Sequence, residues 1–211
     1  MRDVGLALRT AKDRSQRLNK IRLQKFIYLM DAVSRLYELL PPAQRHRTYL
    51  YGPFDASVQN AVDCLAFRGF ARIVGIGPLR DRGEPSVEYT LTVAGEQWIS
   101  QLVIQSSIRQ RFDIAHDIGV QLDALGWERL RALVYAEPTF VSHRGAGLGQ
   151  LLEPDNGMKN SSAYLLQTMK RVLQRGSENV PVARSLLVNL YFDYLKRYAM
   201  RVDGSRSTER Q

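Results

Sequence analysis

The chain has little of what secreted and membrane proteins depend on. Its single cysteine, Cys64, rules out an internal disulfide and suits a reducing compartment. No apolar run approaches the roughly 20 residues that a membrane helix needs, and the stretch MRDVGLALRTAKDR lacks the apolar segment and cleavage site of a signal peptide. We therefore expect a cytoplasmic protein without membrane contact. Because Cys64 lies among Val62, Leu65 and Phe67, we expect a buried, inert thiol.

Patterns that carry catalysis or bind metals are also missing. The three histidines, His46, His116 and His143, stand outside any HExxH, HxH or CxxC context, and there is no GxSxG motif. The glycine-rich stretch RGAGLGQLL lacks the GK[ST] of a phosphate loop. Asp113 and Asp117 flank His116 at helical spacing, which indicates a solvated helix face. We predict no catalytic, cofactor-binding or metal-binding residues, and no enzymatic activity.

Positive charge, by contrast, is abundant and uneven. The chain has a net charge of +9, and residues 1–25 hold eight basic side chains against two acidic ones. Such a surplus attracts polyanions through an electrostatic attraction that does not depend on sequence. The candidate phosphate contacts to double-stranded DNA are Arg14, Arg17, Lys20, Arg22 and Lys25. Two other interpretations stay open, namely a solvated basic face and a surface that docks an acidic partner subunit.

The first half of the chain mixes helical and strand patterns. Apolar residues recur at helical spacing in LNKIRLQKFIYLMDAVSRLYELL, which Asn19 caps and Pro41-Pro42 end. RTYLYG has the composition of a short strand, and Asp55 is the predicted N-cap of a helix that Gly69 ends. ARIVGIG and VEYTLTV predict a β-hairpin with a long tip, and VAGEQWISQLVIQSS predicts another helix.

This order of elements predicts an α+β protein that is mostly α. Residues 1–108 have the element order of a winged helix-turn-helix domain, with the hairpin as the wing and the helix at 55–69 in the recognition position. Residues 109–200 predict an all-α helical domain that contains a long loop at 139–162. Residues 201–211 predict a polar, disordered tail.

One short stretch, YLYGPFD, is not explained by periodicity. Tyr49 and Tyr51 fall on one face of the predicted strand, and Gly52-Pro53 is expected to turn the chain sharply into the next helix. Tyr49, Tyr51, Gly52, Pro53 and Phe54 are therefore candidates for a rigid structural corner or for an interface with a partner.

Three segments of the first half resemble a group of bacterial winged-helix proteins. They are LNKIRLQKFIYLMD, YLYGPFDASVQNAVDCLAFRGFARI and YTLTVAGEQWI, and they match a KLQK-type helix, a YGPF corner and a Leu-Thr-x-x-Gly helix start. Residues 17–105 are similar to the small middle components of bacterial three-component ABC-ATPase systems, such as the Lamassu-type antiphage systems. The Panacea antitoxin domain is similar more loosely.

The resemblance implies a scaffold subunit rather than an enzyme. In those systems the small subunit accompanies an SMC-like ATPase and an effector nuclease, so these are the implied partners, and no cofactor is implied. Two alternatives remain: a stand-alone winged-helix DNA-binding regulator and a Panacea-type antitoxin or adaptor. The surface that would bind the partners and the signal sensed are left open by the sequence.

Overall fold

The computed structural model describes residues 1–39, 45–78, 85–154, 161–175 and 183–208. The chain is α+β and mostly helical, as the sequence predicts. The helices are α1 (Arg2–Lys12), α2 (Lys20–Ala32), α3 (Ala56–Phe67), α4 (Val93–Leu102), α5 (Ser106–Leu125), α6 (Leu130–Tyr135), α7 (Pro138–Ser142), α8 (Ser162–Arg175) and α9 (Arg184–Thr208). The strands are β1 (Leu18–Asn19), β2 (His46–Tyr49), β3 (Gly52–Phe54), β4 (Ala71–Pro78), β5 (Pro85–Leu91) and β6 (Leu151–Leu152).

Helix starts follow the predicted capping residues. The side chain of Asn19 accepts a hydrogen bond from the Arg22 amide at 2.8 Å, and Asp55 accepts from the Ser57 amide at 2.7 Å. Each side chain satisfies one of the amide groups that a helix leaves unpaired at its start. α2 is shorter than predicted, because it ends at Ala32 and a 3-10 turn follows at Ser34–Tyr37. The predicted stop at Pro41-Pro42 lies outside the described residues.

Two small antiparallel sheets lie among these helices. One has the strand order β1-β5-β4, and it contains the predicted hairpin of β4 and β5. The other has the order β3-β2-β6. β1, β3 and β6 were not predicted, because strands of two or three residues carry no periodic signal.

The predicted loop at 139–162 contains more structure than expected. It includes most of α7 and all of β6, while residues 155–160 lie outside the described part. The Thr48 carbonyl accepts from the Gly149 amide at 2.8 Å, and the Thr48 hydroxyl donates to the Gly147 carbonyl at 2.7 Å. The segment before β6 is thus held against β2, which supplies partners for its backbone polar groups.

A single buried core takes apolar side chains from both halves of the chain. Fully buried examples are Leu6, Phe26, Leu65, Ile118, Tyr191 and Leu195. α5 packs on α1 and α2, and α6 packs on α2 and α9. The segments 1–108 and 109–200 therefore share one core. The last helix continues to Thr208, so residues 201–208 of the predicted disordered tail are helical, and 209–211 lie outside the described residues.

A cluster of charged side chains ties four parts of the fold together. The Arg45 guanidinium lies 2.8 Å from Asp3, 3.2 Å from Asp31 and 2.7 Å from Asp55. The Arg111 guanidinium lies 3.0 Å from Asp3 and 2.8 Å from Asp31. The cluster therefore joins α1, α2 and α5 to the residues that flank the strands β2 and β3. Breaking a buried pair leaves a charge without its partner, which is strongly destabilising.

A second buried network centres on Glu137, the N-cap of α7. Its carboxylate accepts hydrogen bonds from the Phe140 amide at 3.0 Å and from the Tyr191 hydroxyl at 3.1 Å, and also from Tyr28 and Ser162. Burial, followed by the Glu137 carboxylate, raises the pKa values of Tyr28 and Tyr191 well above the usual range for tyrosine. α2 is thereby joined to α7, α8 and α9.

The charge cluster predicts an acid-sensitive contribution to stability. Burial opposes ionisation of Asp3, but Arg111 and Arg45 outweigh it and lower the pKa of Asp3 to about 2. Asp3→Asn should reduce the free energy of unfolding at pH 7 by about 2 kcal/mol. Because the folded pKa lies below the ordinary value, this contribution is present above pH 4 and is lost as the pH falls from about 4 towards 2.

Urea unfolding at several pH values measures this effect. Asp13→Asn is the control, because Asp13 pairs with Arg9 on the surface at 2.8 Å and should contribute less than about 0.5 kcal/mol. Equal stability losses in the two variants at pH 7 would contradict the role of the cluster.

Candidate interaction site

The YLYGPF stretch forms a β-hairpin rather than a corner between a strand and a helix. Tyr49 of β2 pairs with Gly52 of β3, so Leu50 and Tyr51 form the loop. The prediction that the chain turns at Gly52-Pro53 is wrong, because both residues open the second strand. Pro53 is tolerated there because β3 is an edge strand, and proline lacks the amide that a central strand would need.

The base of this hairpin is fixed to α2 and to the charge cluster. Arg45 directly precedes β2, Asp55 directly follows β3, and their side chains lie 2.7 Å apart. The Gln24 side chain of α2 donates to the Asp55 carbonyl and accepts from the Asp55 amide, both at 2.8 Å. These contacts hold the hairpin against α2.

A groove of about 120 Å³ lies between α2 and the hairpin. The residues that form its mainly apolar walls and its base are Ile21, Lys25, Tyr51, Gly52, Pro53 and Phe54. The rings of Tyr49 and Phe54 pack together with their centroids 5.2 Å apart. The candidate residues of the YGPF stretch and Lys25, which the sequence analysis treated separately, therefore meet in one groove.

Lys25 is buried at the base of this groove. Its residue surface is 2% exposed, and its ammonium group donates a hydrogen bond to the Tyr51 carbonyl. In the part of the chain that the structure describes, no carboxylate forms an ion pair with it. Burial, followed by repulsion from Arg131, lowers the pKa of Lys25 to about 7. The prediction that Lys25 contacts a DNA phosphate on the surface does not fit this position.

Three cationic groups surround the ring of Tyr135. The Lys25 ammonium lies 5.9 Å from the ring centroid, and the guanidinium groups of Arg131 and Arg144 lie at 5.3 Å and 6.0 Å. Cations are attracted to the negative face of an aromatic ring, but they repel one another. The Tyr135 ring therefore lies among three basic side chains, one of which, Lys25, also lines the groove.

The other DNA-contact candidates are mostly engaged within the chain. The Arg14 side chain is 13% exposed and lies 2.9 Å from Asp123, and Lys20 lies 2.8 Å from Asp63 of α3. Arg22 is partly buried and contacts the Arg17 carbonyl at 3.5 Å. Arg17 is the most solvent-accessible candidate, with 58% of its side chain exposed and a distance of 3.9 Å to Glu88.

Near the C-terminal end of α3, the burial of the side chains differs from the prediction. Val58, Val62 and Leu65 are buried as predicted, and Gly69 follows the helix with a φ of 73°. Cys64 is exposed, however, so the prediction of a buried thiol is wrong. Phe67, which the sequence analysis placed beside that thiol, is 94% exposed. Both side chains lie on the side of α3 that faces away from the core.

α3 also carries no lysine or arginine. Its acidic residue, Asp63, is exposed and pairs with Lys20 at 2.8 Å. The face combines an aromatic side chain, a thiol and a neutralised carboxylate, which is a chemistry suited to protein contact rather than to phosphate contact.

Asp113 and Asp117, which were predicted to lie on a solvated helix face of α5, are partly exposed and have partners within the chain. Asp117 accepts a hydrogen bond from Tyr37 and lies 3.4 Å from the His116 ring, while Asp113 lies 3.7 Å from Arg109. Within residues 1–39, 45–78, 85–154, 161–175 and 183–208, no group of three His, Cys, Asp or Glu side chains is placed to hold a metal ion.

None of the helices in those ranges is both long enough and apolar enough to cross a bilayer.

A second cavity of about 330 Å³ lies between α7, α8 and α9. Tyr164, Leu165, Tyr194 and Tyr198 line it, and the last two rings stack with centroids 6.2 Å apart. Burial raises the pKa of Tyr194. Among the described residues that line this cavity none is charged, so its chemistry is less selective than that of the groove at Lys25.

No protein-family model matches the chain, and no curated protein is significantly similar to it. The resemblance to the middle components of ABC-ATPase systems therefore stays a prediction, and the geometry of the site is what constrains function.

Gly52 provides a test of the hairpin geometry. Its φ of 94° is one that residues with side chains rarely adopt, and an added Cβ would lie 2.7 Å from the Lys25 ammonium and from the Tyr135 ring. Gly52→Ala should lower the free energy of unfolding by about 1–3 kcal/mol. Gly145→Ala is the matched control, because nothing lies within 4 Å of its Cβ position. Equal melting temperatures for the two variants would contradict the strained position of Gly52.

Proposed function

We propose that the chain is a non-catalytic scaffold subunit of a bacterial antiphage defence complex, bridging an SMC-like ATPase and an effector nuclease. The proposal starts from the resemblance of residues 17–105 to Lamassu-type middle components. The observation that carries it is the outer face of α3, where Phe67 is 94% exposed and no lysine or arginine is present.

The proposal includes a winged-helix domain at residues 1–108. Support comes from the order α1, β1, α2, β2, β3, α3, β4, β5, in which β1 pairs with β5, the hairpin of β4 and β5 follows α3, and the β2–β3 hairpin is an addition between α2 and α3. In such a domain α3 would occupy the recognition position and the β4–β5 hairpin would be the wing.

The chemistry of α3 favours a protein partner over DNA. A helix that reads a major groove uses cationic side chains for most of its phosphate and guanine contacts, and α3 has none, although it does carry the amides Gln59 and Asn60. Ile73 and Ile76 of β4, which packs against α3, are 55% and 73% exposed. Exposed apolar side chains on two adjacent elements are typical of a protein-binding surface. A stand-alone regulator would need another surface to bind DNA. A Panacea-type adaptor would have a small toxin as its partner.

Copurification tests the proposal. When the chain is expressed with the products of its genomic neighbours, we expect an SMC-like ATPase to copurify, and Phe67→Ser should reduce that copurification at least tenfold. The loss of one central aromatic contact typically costs about 2 kcal/mol or more, enough for this change. Ile104→Ser is the matched control, because Ile104 is 84% exposed and lies outside α3.

Different copurification results would favour the alternatives. A single small toxin as the only partner would favour the adaptor. If the Phe67→Ser variant still copurifies with its partner, α3 is not part of the interface.

Non-specific DNA contact is a secondary part of the proposal, and it rests on Arg17. Arg17→Glu should weaken binding to a duplex of any sequence and flatten its salt dependence, because each phosphate contact releases about 0.9 counterion. Lys170→Glu, on the exposed face of α8, controls for net charge. Equal losses of affinity in the two variants would show that Arg17 makes no specific phosphate contact.

A further inference from the structure

Among the residues that the structure describes, Lys25 is a buried cation without a counter-charge. Asp63 pairs with Lys20, which also lines the groove, and the polar and aromatic contacts of Lys25 in the described part of the chain are the Tyr51 carbonyl and the Tyr135 ring. Burying an unpaired ammonium group is costly, and that cost falls when an anion binds beside it. The groove that Lys25 lines opens to solvent between α2 and the hairpin.

We propose that this groove binds one carboxylate side chain from an acidic segment of a partner protein, and that the carboxylate pairs with Lys25. The inference rests on the proposed scaffold function for the identity of the partner as a protein subunit. It adds the place where the partner binds and the chemistry that selects it.

The size and walls of the groove fit such a side chain. A space of about 120 Å³ holds one side chain rather than a nucleotide base with its sugar. Ile21, Pro53 and Phe54 offer apolar surface to the methylene groups of a glutamate. The Gln24 side chain already makes two hydrogen bonds to the Asp55 backbone, so Lys25 is the group in the groove that would pair with the carboxylate of the ligand.

Charge complementarity favours an acidic partner. Lys20 and Lys25 line the groove, and no carboxylate lines it among the residues that the structure describes. The whole chain carries a net charge of +9, which attracts an acidic segment from a distance. A nucleic acid phosphate fits less well, because it is part of the duplex backbone and cannot extend to a residue that is 2% exposed, whereas a glutamate carries its carboxylate at the end of two methylene groups.

The pairing should depend on pH. The titratable and charged groups near Lys25 are Arg131 and Tyr135 from α6, Arg144 after α7, Tyr51 from the hairpin and Lys20 from its own helix. None of these described residues is a carboxylate. Since the pKa of Lys25 in the free chain is about 7, its ammonium group is mostly charged at pH 6 and mostly neutral at pH 8. Binding a carboxylate takes up a proton above pH 7, so affinity should fall about tenfold from pH 6 to pH 8.

Nuclear magnetic resonance of the full chain reports on Lys25 directly. The chain has six lysines, so labelling their ε-carbons and comparing with Lys25→Arg assigns the Lys25 signal. The probe is a short capped peptide that alternates glutamate with leucine, and its control has glutamine in place of each glutamate. We expect the glutamate peptide to raise the pKa of Lys25 by at least one unit and the glutamine peptide to leave it unchanged.

Variants separate the charge of Lys25 from its structural role. Lys25→Met should weaken binding of the glutamate peptide at pH 6 at least tenfold and remove its pH dependence. Lys25→Arg should keep the binding but lose the pH dependence between pH 6 and pH 8, because arginine stays charged. Lys170→Met removes the same charge from the exposed face of α8 and should bind as the unmodified chain does. The melting temperature of each variant verifies that it is folded.

Three results would overturn the inference. The first is a pKa of Lys25 that does not change when the glutamate peptide is added. The second is peptide binding that still depends on pH in Lys25→Arg. The third is a Lys25 resonance that shifts with a DNA duplex but not with the peptide. If a subunit copurifies but the Lys25 resonance does not respond to the glutamate peptide, the carboxylate site is overturned and the scaffold proposal is not. Peptide binding at Lys25 without any copurifying subunit would overturn the scaffold proposal and leave the carboxylate site in place.

Discussion

The pairing of Arg45 and Arg111 with Asp3 and Asp31 is the interaction on which the rest of the structure depends. These side chains come from α1, α2, α5 and the residue before β2, and their ion pairs span 2.8–3.2 Å. Each guanidinium contacts two or more carboxylates, so the buried charges are mutually compensated. If one member of this network moved away, a buried charge would lose its partner. The network therefore fixes how the four elements pack against one another.

The position of the groove follows from this cluster. Arg45 and Asp55 stand at the two ends of the β2–β3 hairpin, and their contact at 2.7 Å closes its base. Gln24 holds the same base against α2, so the loop lies close to Lys25, and the Tyr51 carbonyl accepts a hydrogen bond from the Lys25 ammonium group. The cations of the N-terminal region therefore act mainly inside the fold. Exposed apolar side chains remain on α3 and β4, and the cations Arg17, Arg68 and Arg72 are exposed as well.

Local sequence was enough to predict the helices, their caps and part of the site. Asn19 and Asp55 cap the helices that follow them, and the apolar positions Phe26 and Met30 are buried, because capping and amphipathic spacing act over only a few residues. The β4–β5 hairpin was also predictable from its β-rich runs. The YGPF stretch was correctly singled out as unusual, although its turn was assigned to the wrong residues.

What the sequence by itself determined is therefore local: the mostly helical α+β class, the helix starts and the surplus of positive charge. Tertiary structure alone decided which charges are free. Arg14 meets Asp123, the Tyr28 hydroxyl meets Glu137, and Lys25 is buried beside Tyr135, all across more than 100 residues of chain. Nothing in a short window distinguishes an arginine that will pair internally from one that will face solvent. That outcome depends on which distant segments pack together, and so does the groove that we propose as the binding site.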